Sequence, residues 1–237
     1  MWAKGRFRGE QMLYHSERIY GIDISKYQHV YKRWVYGIDW RNLRITRLGH
    51  TADRNALGAV DYPVSFVYIK STEGLTVFNP YYTRDVRAAR RYGFPVGAYH
   101  FFSTRPAMRQ ADYFLKKSRL QKGDLPPMLD VELSDRRIAA MGGRDVLFRE
   151  MLVWLKEVGR RSGTMPIIYV SQDFVNRYMP FAPEELKAYP VWVARYGEYK
   201  PYVHLLYWQL SPDGRVRGIQ GDVDIDVFNG CLLYTSD

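Results

Sequence analysis

Two acidic residues, Asp130 and Glu132, stand one residue apart at the end of a short apolar run. In an extended strand successive side chains point to opposite faces, so both carboxyl groups would share one face while Val131 turns into the packing layer. Crowding two acids beside apolar neighbours raises the pKa of one carboxyl and leaves the other ionised, as acid-catalysed cleavage of a glycosidic bond requires. Because an Asp-x-Glu pattern is common, the same residues could equally be ordinary acids at a solvated strand end.

Polar side chains also lie at the ends of most other strand-like runs. Asp23 is an unexpected acid in the first of them, between Ile22 and Ile24. In chain order, the polar residues at predicted strand ends are Asp23, Glu73, His100, Asp130 with Glu132, Tyr169 with Ser171, Arg195 with Tyr196, Gln209, and Asp224 with Asp226. Scattered surface acids would not produce polar residues at nearly every strand end, so the repetition favours one shared site.

Aromatic residues near the same strand ends could bind sugars. Their flat faces suit stacking on a sugar ring, although each of them could instead fill a hydrophobic core. We predict substrate-binding roles for the aromatic Tyr99, Tyr169, Trp192, Tyr196 and Trp208 and for the polar Gln209 and Glu73. His100 lies in a Gly-Ala-Tyr-His-Phe run and is more typical of a hydrogen-bonded core histidine than of a catalyst.

Strand-like and helix-like segments alternate along the chain. The runs that favour strands are 19–25, 66–70, 95–102, 126–132, 166–171, 190–196, 204–210 and 223–228. This alternation predicts a parallel sheet, and so many strands predict an α/β fold of the irregular (β/α) TIM-like barrel type. Little helix fits between the last two strands, so we expect the irregularity late in the chain. In such a barrel the active site lies at the C-terminal ends of the strands.

Capping residues predict the limits of three helices. One begins at an Asn79 cap and ends before Gly93, a second begins at a Thr104 cap, and a third ends at Gly163. The stretch 44–62 has no clear periodicity, and we expect an irregular insertion there.

Composition and charge bound the class of protein. The chain has 237 residues, 46% of them hydrophobic, and this is enough for a single-domain barrel over 19–237. Residues 1–18 are basic and lack the apolar run of a secretory signal, so we expect an N-terminal extension there. The net charge of +10 favours an anionic partner such as nucleic acid, a membrane surface or an acidic wall polymer.

The sequence predicts neither a metal nor another cofactor. The single cysteine, Cys231, excludes an internal disulfide and a cysteine-based zinc site, and the histidines lack metal-ligand spacing. Asp222, Asp224 and Asp226 alternate as calcium ligands do, yet no glycine-centred loop or distant glutamate accompanies them. No apolar run reaches the roughly 18 residues that would suggest a membrane span.

Taken in order, these residues resemble the glycoside hydrolase family 25 lysozymes, the Chalaropsis-type N-acetylmuramidases of bacteria and phages. The resemblance rests on 21–25, Tyr27-Gln28, 66–74, 97–101, 129–132, 168–171, 191–196 and 223–226. It implies an irregular β/α barrel that hydrolyses the β-1,4 bond between N-acetylmuramic acid and N-acetylglucosamine in peptidoglycan. It makes Glu132 the proton donor, with Asp23, Asp130 and Asp224 as the other site acids. Two features depart from the family: the 44–64 stretch is long, and Asp226, an added negative charge, often has Asn in its place.

Two mechanisms of hydrolysis, retaining and inverting, fit the sequence. The resemblance favours net retention, in which the substrate's own acetamide attacks the anomeric carbon, Glu132 protonates the leaving oxygen and Asp130 holds the acetamide. The competing mechanism is inversion, with Asp23 or Asp224 activating water. A chitinase-like activity also uses an Asp-x-Glu strand end, but the other motifs do not resemble that family.

Two non-enzymatic functions are also compatible with the sequence. One is a non-catalytic protein that binds cell-wall glycan on the same barrel, and the other is a nucleic-acid-binding protein, for which no motif is present. We expect a monomer without nucleic acid or membrane span that acts on peptidoglycan strands, outside the cell or in its envelope.

Overall fold

The computed structural model describes residues 2–3, 6–7, 18–50, 56–194 and 203–229. Eight of its strands form a barrel: β1 (Ile19–Ile24), β2 (Val67–Glu73), β3 (Val96–Phe101), β4 (Met128–Asp130), β5 (Ile167–Ser171), β6 (Val191–Ala194), β7 (Leu205–Arg217) and β8 (Val223–Phe228). Each strand pairs with the next, and β8 pairs with β1. The ring is therefore closed, which confirms the predicted irregular TIM-like barrel. Most of the predicted 1–18 extension lies outside the described residues.

The last barrel strand runs against its neighbours. The pairs from β1 through β7 are parallel, whereas β8 is antiparallel to both β7 and β1. The expectation of a parallel sheet is therefore wrong for this strand. Antiparallel neighbours need no crossover helix, which explains the short connection between β7 and β8.

Among the described residues, α-helices lie at α1 (Tyr82–Arg91), α2 (Ala107–Ser118), α3 (Asp135–Ala140), α4 (Arg144–Ser162), α5 (Gln172–Arg177) and α6 (Glu184–Lys187). Short 3-10 turns lie at Lys26–His29, Trp40–Asn42 and Met179–Phe181. None of the helices in the described ranges combines the length and the apolar character that crossing a membrane requires.

The predicted C-terminal ends of two helices are confirmed, and both predicted N-caps are wrong. The N-cap of α1 is Tyr81, whose N–H donates to Asn79 Oδ1 at 3.0 Å, so Asn79 caps the turn before the helix. Helices α1 and α4 end before Gly93 and Gly163, whose φ angles of +79° and +72° suit glycine. Thr104 does not cap α2, which begins at Ala107. The Ala107 N–H instead donates to a Glu150 carboxylate oxygen at 3.0 Å, so a neighbouring helix supplies the acceptor.

The described part of the segment predicted to be an irregular insertion forms two antiparallel strands, so that expectation is wrong. Arg44–His50 pairs antiparallel with Ala56–Pro63, and its first strand also pairs with 215–217 at the far end of β7. A register shift between Ile45 and Arg47 breaks the strict alternation of inward and outward side chains. The sequence consequently lacks the period of two that would have predicted these strands.

Smaller strand pairs complete the fold. Trp2–Ala3 pairs with Arg6–Phe7, Val30–Tyr31 pairs with Trp34–Val35, and Val77–Phe78 pairs with the end of β2.

Aromatic side chains fill much of the barrel interior. The interior cluster comprises Phe66, Tyr68, Tyr99, Met128, Ile167, Tyr169, Trp192 and Tyr207. The Trp192 ring centroid lies 4.9 Å from that of Tyr68 and 4.7 Å from that of Tyr207. Gly97 makes room for this layer, because a Cβ there would lie 2.3 Å from the Tyr68 ring. The rings therefore leave little open space within the barrel, and Tyr99 and Tyr169 are the two members of the cluster that are most exposed.

Candidate active site

Strand pairing brings the first and last predicted site acids side by side. Asp23, near the C-terminal end of β1, is the direct cross-strand partner of Asp224 near the start of β8. Because β8 is antiparallel, its first residues rather than its last reach this end of the barrel. The flanking Ile22 and Ile225 are buried in the outer core between barrel and helices. Alternation therefore turns both carboxyl groups toward the barrel interior.

The strand β4 and the residues after it supply the other two acids. Asp130 is the last residue of β4 and is 7% exposed, and Glu132 lies exposed two residues further along. The intervening Val131 is buried, and its N–H donates to the Tyr169 carbonyl at 2.9 Å, so the chain stays extended. Electrostatic interactions link the four acids that the structure brings together here: Asp23, Asp130, Glu132 and Asp224.

A buried hydrogen-bond chain holds Asp23. The Tyr169 hydroxyl donates to Gln209 Oε1 at 3.1 Å, and Gln209 Nε2 donates to Asp23 Oδ2 at 3.0 Å. Burial raises the pKa of Asp23 to about 6, against the lowering effect of the Gln209 hydrogen bond, and the charge of Glu132 raises it further. Asp23 therefore titrates close to neutral pH.

The other three acids also have raised pKa values. Burial raises the pKa of Asp130 and of Asp224 well above the ordinary value, and the charge of a neighbouring acid adds to each. Partial loss of water raises the pKa of Glu132 while Lys70 lowers it. Repulsion between these acids opposes the ionisation of all of them together, so the site favours a mixture of carboxylates and carboxylic acids.

Lys70 lies among the acids and was missed by the sequence analysis. Its Nζ lies 2.7 Å from Glu73 Oε2 and 4.3 Å from the centroid of the Phe101 ring. Its charge lowers the pKa of Asp130 and of Glu132, opposing the effect of burial. The available signal was a charged residue within a run of β-forming residues, which is the same signal that drew attention to Asp23.

Asp226 lies deeper in the barrel than Asp224. It is fully buried, and neither of its carboxyl oxygens has a hydrogen-bond partner of good geometry among the described residues. Its polar neighbours are Asp23 and the indole N–H of Trp192. Burial raises the pKa of Asp226 well above the ordinary value, and the charges of Asp23 and Asp224 raise it further, so the neutral form of this carboxyl is favoured.

Two of the predicted sugar-binding aromatics lie at the site. Tyr99 and Tyr169 are each 7% exposed. Tyr99 forms a hydrogen bond that lowers the pKa of Asp23, and Tyr169 reaches the same acid through Gln209. Glu73, the last residue of β2, is held at the site by its ion pair with Lys70.

The remaining predicted aromatics are placed differently. Trp192 is fully buried within the barrel interior, where it fills space between other rings. Trp208 alternates with Tyr207 along β7 and lies on the outer side of the barrel, with the Arg18 guanidinium 5.0 Å from its ring. This placement takes Trp192 and Trp208 away from the mouth of the site. Tyr196, like Arg195, lies outside the described residues.

His100 is a core residue, as its sequence context indicates. Its Nδ1 lies 2.7 Å from the Thr72 hydroxyl and its Nε2 lies 3.1 Å from Gln110 Oε1. Burial lowers the pKa of His100 to about 4, so the ring is neutral at neutral pH. It supports the wall of the barrel and does not join the acids.

A closed barrel with a group of acids of raised pKa and one lysine at a single rim is suited to glycoside hydrolysis, which needs a proton donor beside a carboxylate. Comparison with known proteins agrees with this class. The chain belongs to the glycosyl hydrolases family 25, whose family model matches residues 22–219. It is thus a glycoside hydrolase by family, and this confirms the resemblance found in the sequence.

Individual relatives extend the likeness over most of the chain. It is 35% identical to the protein YegX of Escherichia coli strain K12 over 221 residues, which is 92% of this chain and 72% of YegX. It is 28% identical to Lysozyme M1 of Streptomyces globisporus over 228 residues, covering 90% of this chain and 68% of that protein. Its fold is similar to the crystal structure of the bacterial lysozyme from Streptomyces coelicolor, with a TM-score of 0.74, 26% identity, and coverage of 93% and 96% of the two chains.

Proposed function

We propose that this chain is a peptidoglycan hydrolase, a lysozyme of the muramidase type, that cleaves the β-1,4 bond between N-acetylmuramic acid and N-acetylglucosamine. The observation that carries the proposal is the cluster of Asp23, Asp130, Glu132 and Asp224 at one rim of the barrel. The names of the similar proteins, lysozymes and muramidases among them, support the choice of substrate.

Glu132 is the general acid in this proposal. Its exposed position lets it meet a glycosidic oxygen, and partial burial raises its pKa, which favours the protonated form that a general acid needs. The charge of Glu132 raises the pKa of Asp130, so the protonation of Asp130 depends on its neighbours and on what is bound. An acetamide N–H of the substrate that donates to Asp130 favours its ionised form and leaves the proton with Glu132.

The proposed reaction retains the anomeric configuration through substrate assistance. The carbonyl oxygen of the N-acetyl group attacks the anomeric carbon, Glu132 gives its proton to the leaving oxygen, and Asp130 orients the acetamide. Water then opens the cyclic intermediate, with the Glu132 carboxylate taking its proton. A second mechanism is favoured by one observation: the pKa of Asp23, about 6, suits a general base that activates water with inversion.

The remaining roles follow from the same substrate. Tyr99, Tyr169, Gln209 and Glu73 shape the sugar site around the acids. The +10 charge attracts anionic wall polymers, and the protein acts as a monomer outside the cell or in its envelope. Residues 19–237 form the catalytic domain, and neither a metal nor nucleic acid takes part.

The test is hydrolysis of purified peptidoglycan by the unmodified chain. Falling turbidity should accompany the release of new reducing ends, and these ends should be N-acetylmuramic acid. The Glu132→Gln variant is the matched control, since it keeps the size and polarity of the side chain. Binding of peptidoglycan without release of reducing ends would instead support the non-catalytic wall-binding alternative, and release of N-acetylglucosamine ends would overturn the proposed bond specificity.

A further inference from the structure

Exposed apolar side chains concentrate in one short segment. Between residues 27 and 36, five large apolar side chains are exposed: Tyr27 (68%), Val30 (43%), Trp34 (71%), Val35 (66%) and Tyr36 (36%). Elsewhere in the described part of the chain the exposed large apolar residues are scattered: Val77, Tyr92, Met108, Met165 and Phe181. A local concentration of this kind marks an interaction surface, whereas single exposed residues do not.

The segment is a β-hairpin with an unfavourable turn. Val30 pairs with Val35 and Tyr31 with Trp34, which leaves Lys32 and Arg33 as the two turn residues. Their φ angles are +46° and +72°, in the left-handed region where such turns normally place Asn or Gly. Strained positions persist where function selects them and the surroundings fix them. The two basic residues at the tip of this hairpin therefore occupy backbone conformations that are unfavourable for lysine and arginine.

The base of the hairpin is fixed to the barrel. The Tyr36 N–H donates to the His29 carbonyl at 2.8 Å. His29 is fully buried, its Nε2 lies 2.6 Å from Asp85 Oδ2 on α1, and its ring stacks on Tyr81 with centroids 4.2 Å apart. A two-stranded ribbon alone is marginally stable in water. These contacts hold its apolar side chains outward in a defined position.

The hairpin stands on the same rim as the site acids. It follows β1 directly, and Gln28 Nε2 donates to the Asp222 carbonyl at 3.2 Å, two residues before Asp224. The segment 24–38 contains no acidic residue, and its basic side chains besides histidine are Lys26, Lys32 and Arg33. The surface therefore combines aromatic rings and positive charge and is continuous with the mouth of the site.

We propose that the hairpin 29–36, together with Tyr27, is an accessory surface that binds the peptidoglycan strand beyond the sugars flanking the cleaved bond. Trp34 and Tyr27 stack on the apolar faces of pyranose rings, and Arg33 pairs with carboxylates of the peptide stems. This inference rests on the proposed function and adds a second contact to the same substrate. A long strand crossing the barrel mouth past β1 reaches the hairpin, whereas a short fragment confined to the acids does not.

Binding to insoluble purified peptidoglycan tests the surface without turnover. All variants are made in the Glu132→Gln background, and the bound fraction is measured by co-sedimentation over a range of peptidoglycan concentrations. Trp34→Ala should weaken binding about tenfold, as expected when an aromatic stacking anchor is truncated. The matched control is Met165→Ala, which removes an exposed apolar side chain just before β5, at the opposite end of the barrel, and should bind like its parent.

Arg33→Gly separates a binding role from a structural one. Glycine suits the φ angle of +72°, so the melting temperature should stay level or rise while affinity for peptidoglycan falls severalfold. Arg119→Gly is the matched control, because Arg119 is an exposed arginine with φ +48° at the end of α2. It should show the same effect on melting temperature and no loss of binding.

Three outcomes would overturn the inference. The first is unchanged binding to peptidoglycan in both Trp34→Ala and Arg33→Gly. The second is a loss in Trp34→Ala confined to vesicles of anionic phospholipid, which would make the hairpin a membrane-binding element. The third is an equal loss in Arg119→Gly. Cleavage of peptidoglycan by the unmodified chain is measured separately, so a failure of the proposed function is distinguishable from a failure of the hairpin.

Discussion

Asp23→Asn should make the protein more stable at neutral pH. In the folded chain the pKa of Asp23 is about 6, compared with 3.8 for an ordinary aspartate, chiefly because the carboxyl is buried. One unit of pKa corresponds to about 1.4 kcal/mol. Keeping Asp23 in the site therefore costs the fold about 3 kcal/mol once the pH exceeds 6. The asparagine side chain carries no charge and its oxygen can accept the Gln209 hydrogen bond.

The sign of this effect depends on pH. Well below pH 3.8 Asp23 is protonated in both the folded and the unfolded chain and contributes no difference. Between about pH 4 and 6 the unfolded chain releases the proton while the folded chain keeps it, so stability falls as the pH rises. Above pH 6 the deficit is constant. Asp23→Asn should exceed the unmodified chain by only about 0.5 kcal/mol at pH 4 and by up to about 3 kcal/mol at pH 7.5.

Urea unfolding followed by fluorescence at pH 4, 5.5 and 7.5 measures this difference. Asp61→Asn is the control, because Asp61 is an exposed acid whose pKa is lowered by Arg44. That variant should gain nothing at pH 7.5. Equal stability of Asp23→Asn and the unmodified chain at pH 7.5, or an equal gain at pH 4, would refute the assignment of Asp23 as a buried acid under electrostatic strain.

Three further outcomes are expected. Asp226→Asn should retain most of its activity at pH 7, because burial favours the neutral acid, which an amide resembles. A loss beyond about tenfold (1.4 kcal/mol) in kcat/KM would show that an ionised Asp226 is required. Lysis of whole cell walls should slow as salt rises from about 0.05 to 0.5 M, because salt screens the attraction between the basic protein and the anionic wall. Cleavage of a short soluble muropeptide should change much less. An equal loss on both substrates would contradict long-range attraction as the cause. NMR of the first product formed, recorded before mutarotation, should show retained β configuration, and an inverted product would move the water-activating role to Asp23 or Asp224.

The barrel and the positions of its acids could be predicted because each depends on local pattern. Strand ends in a β/α barrel meet at one rim, so polar residues at those ends predict a shared site without any knowledge of packing. The direction of β8 could not be predicted in this way. Asp224 is near the start of β8, and it reaches the rim because β8 is antiparallel to β1.

The positions of the aromatic side chains could not be predicted from the sequence. Trp192 and Trp208 lie near predicted strand ends, yet one side chain fills the barrel interior and the other lies on the outside. The alternation of side chains along a strand separates its two faces. It does not predict which rings are packed inside the barrel and which are exposed at the active-site rim. The two strands within 44–63 were hidden for a related reason, since a register shift removes the alternation that identifies strands.

The steady-state kinetics of Glu132→Gln on a soluble muropeptide test the proposed chemistry most directly. The amide cannot supply the proton that the leaving oxygen needs, so kcat should fall by about 10²–10⁴-fold while the dissociation constant of the fragment stays within about twofold. Circular dichroism and unfolding of the same variant confirm that the barrel is intact. A kcat close to that of the unmodified chain, with the fold intact, would contradict Glu132 as the general acid.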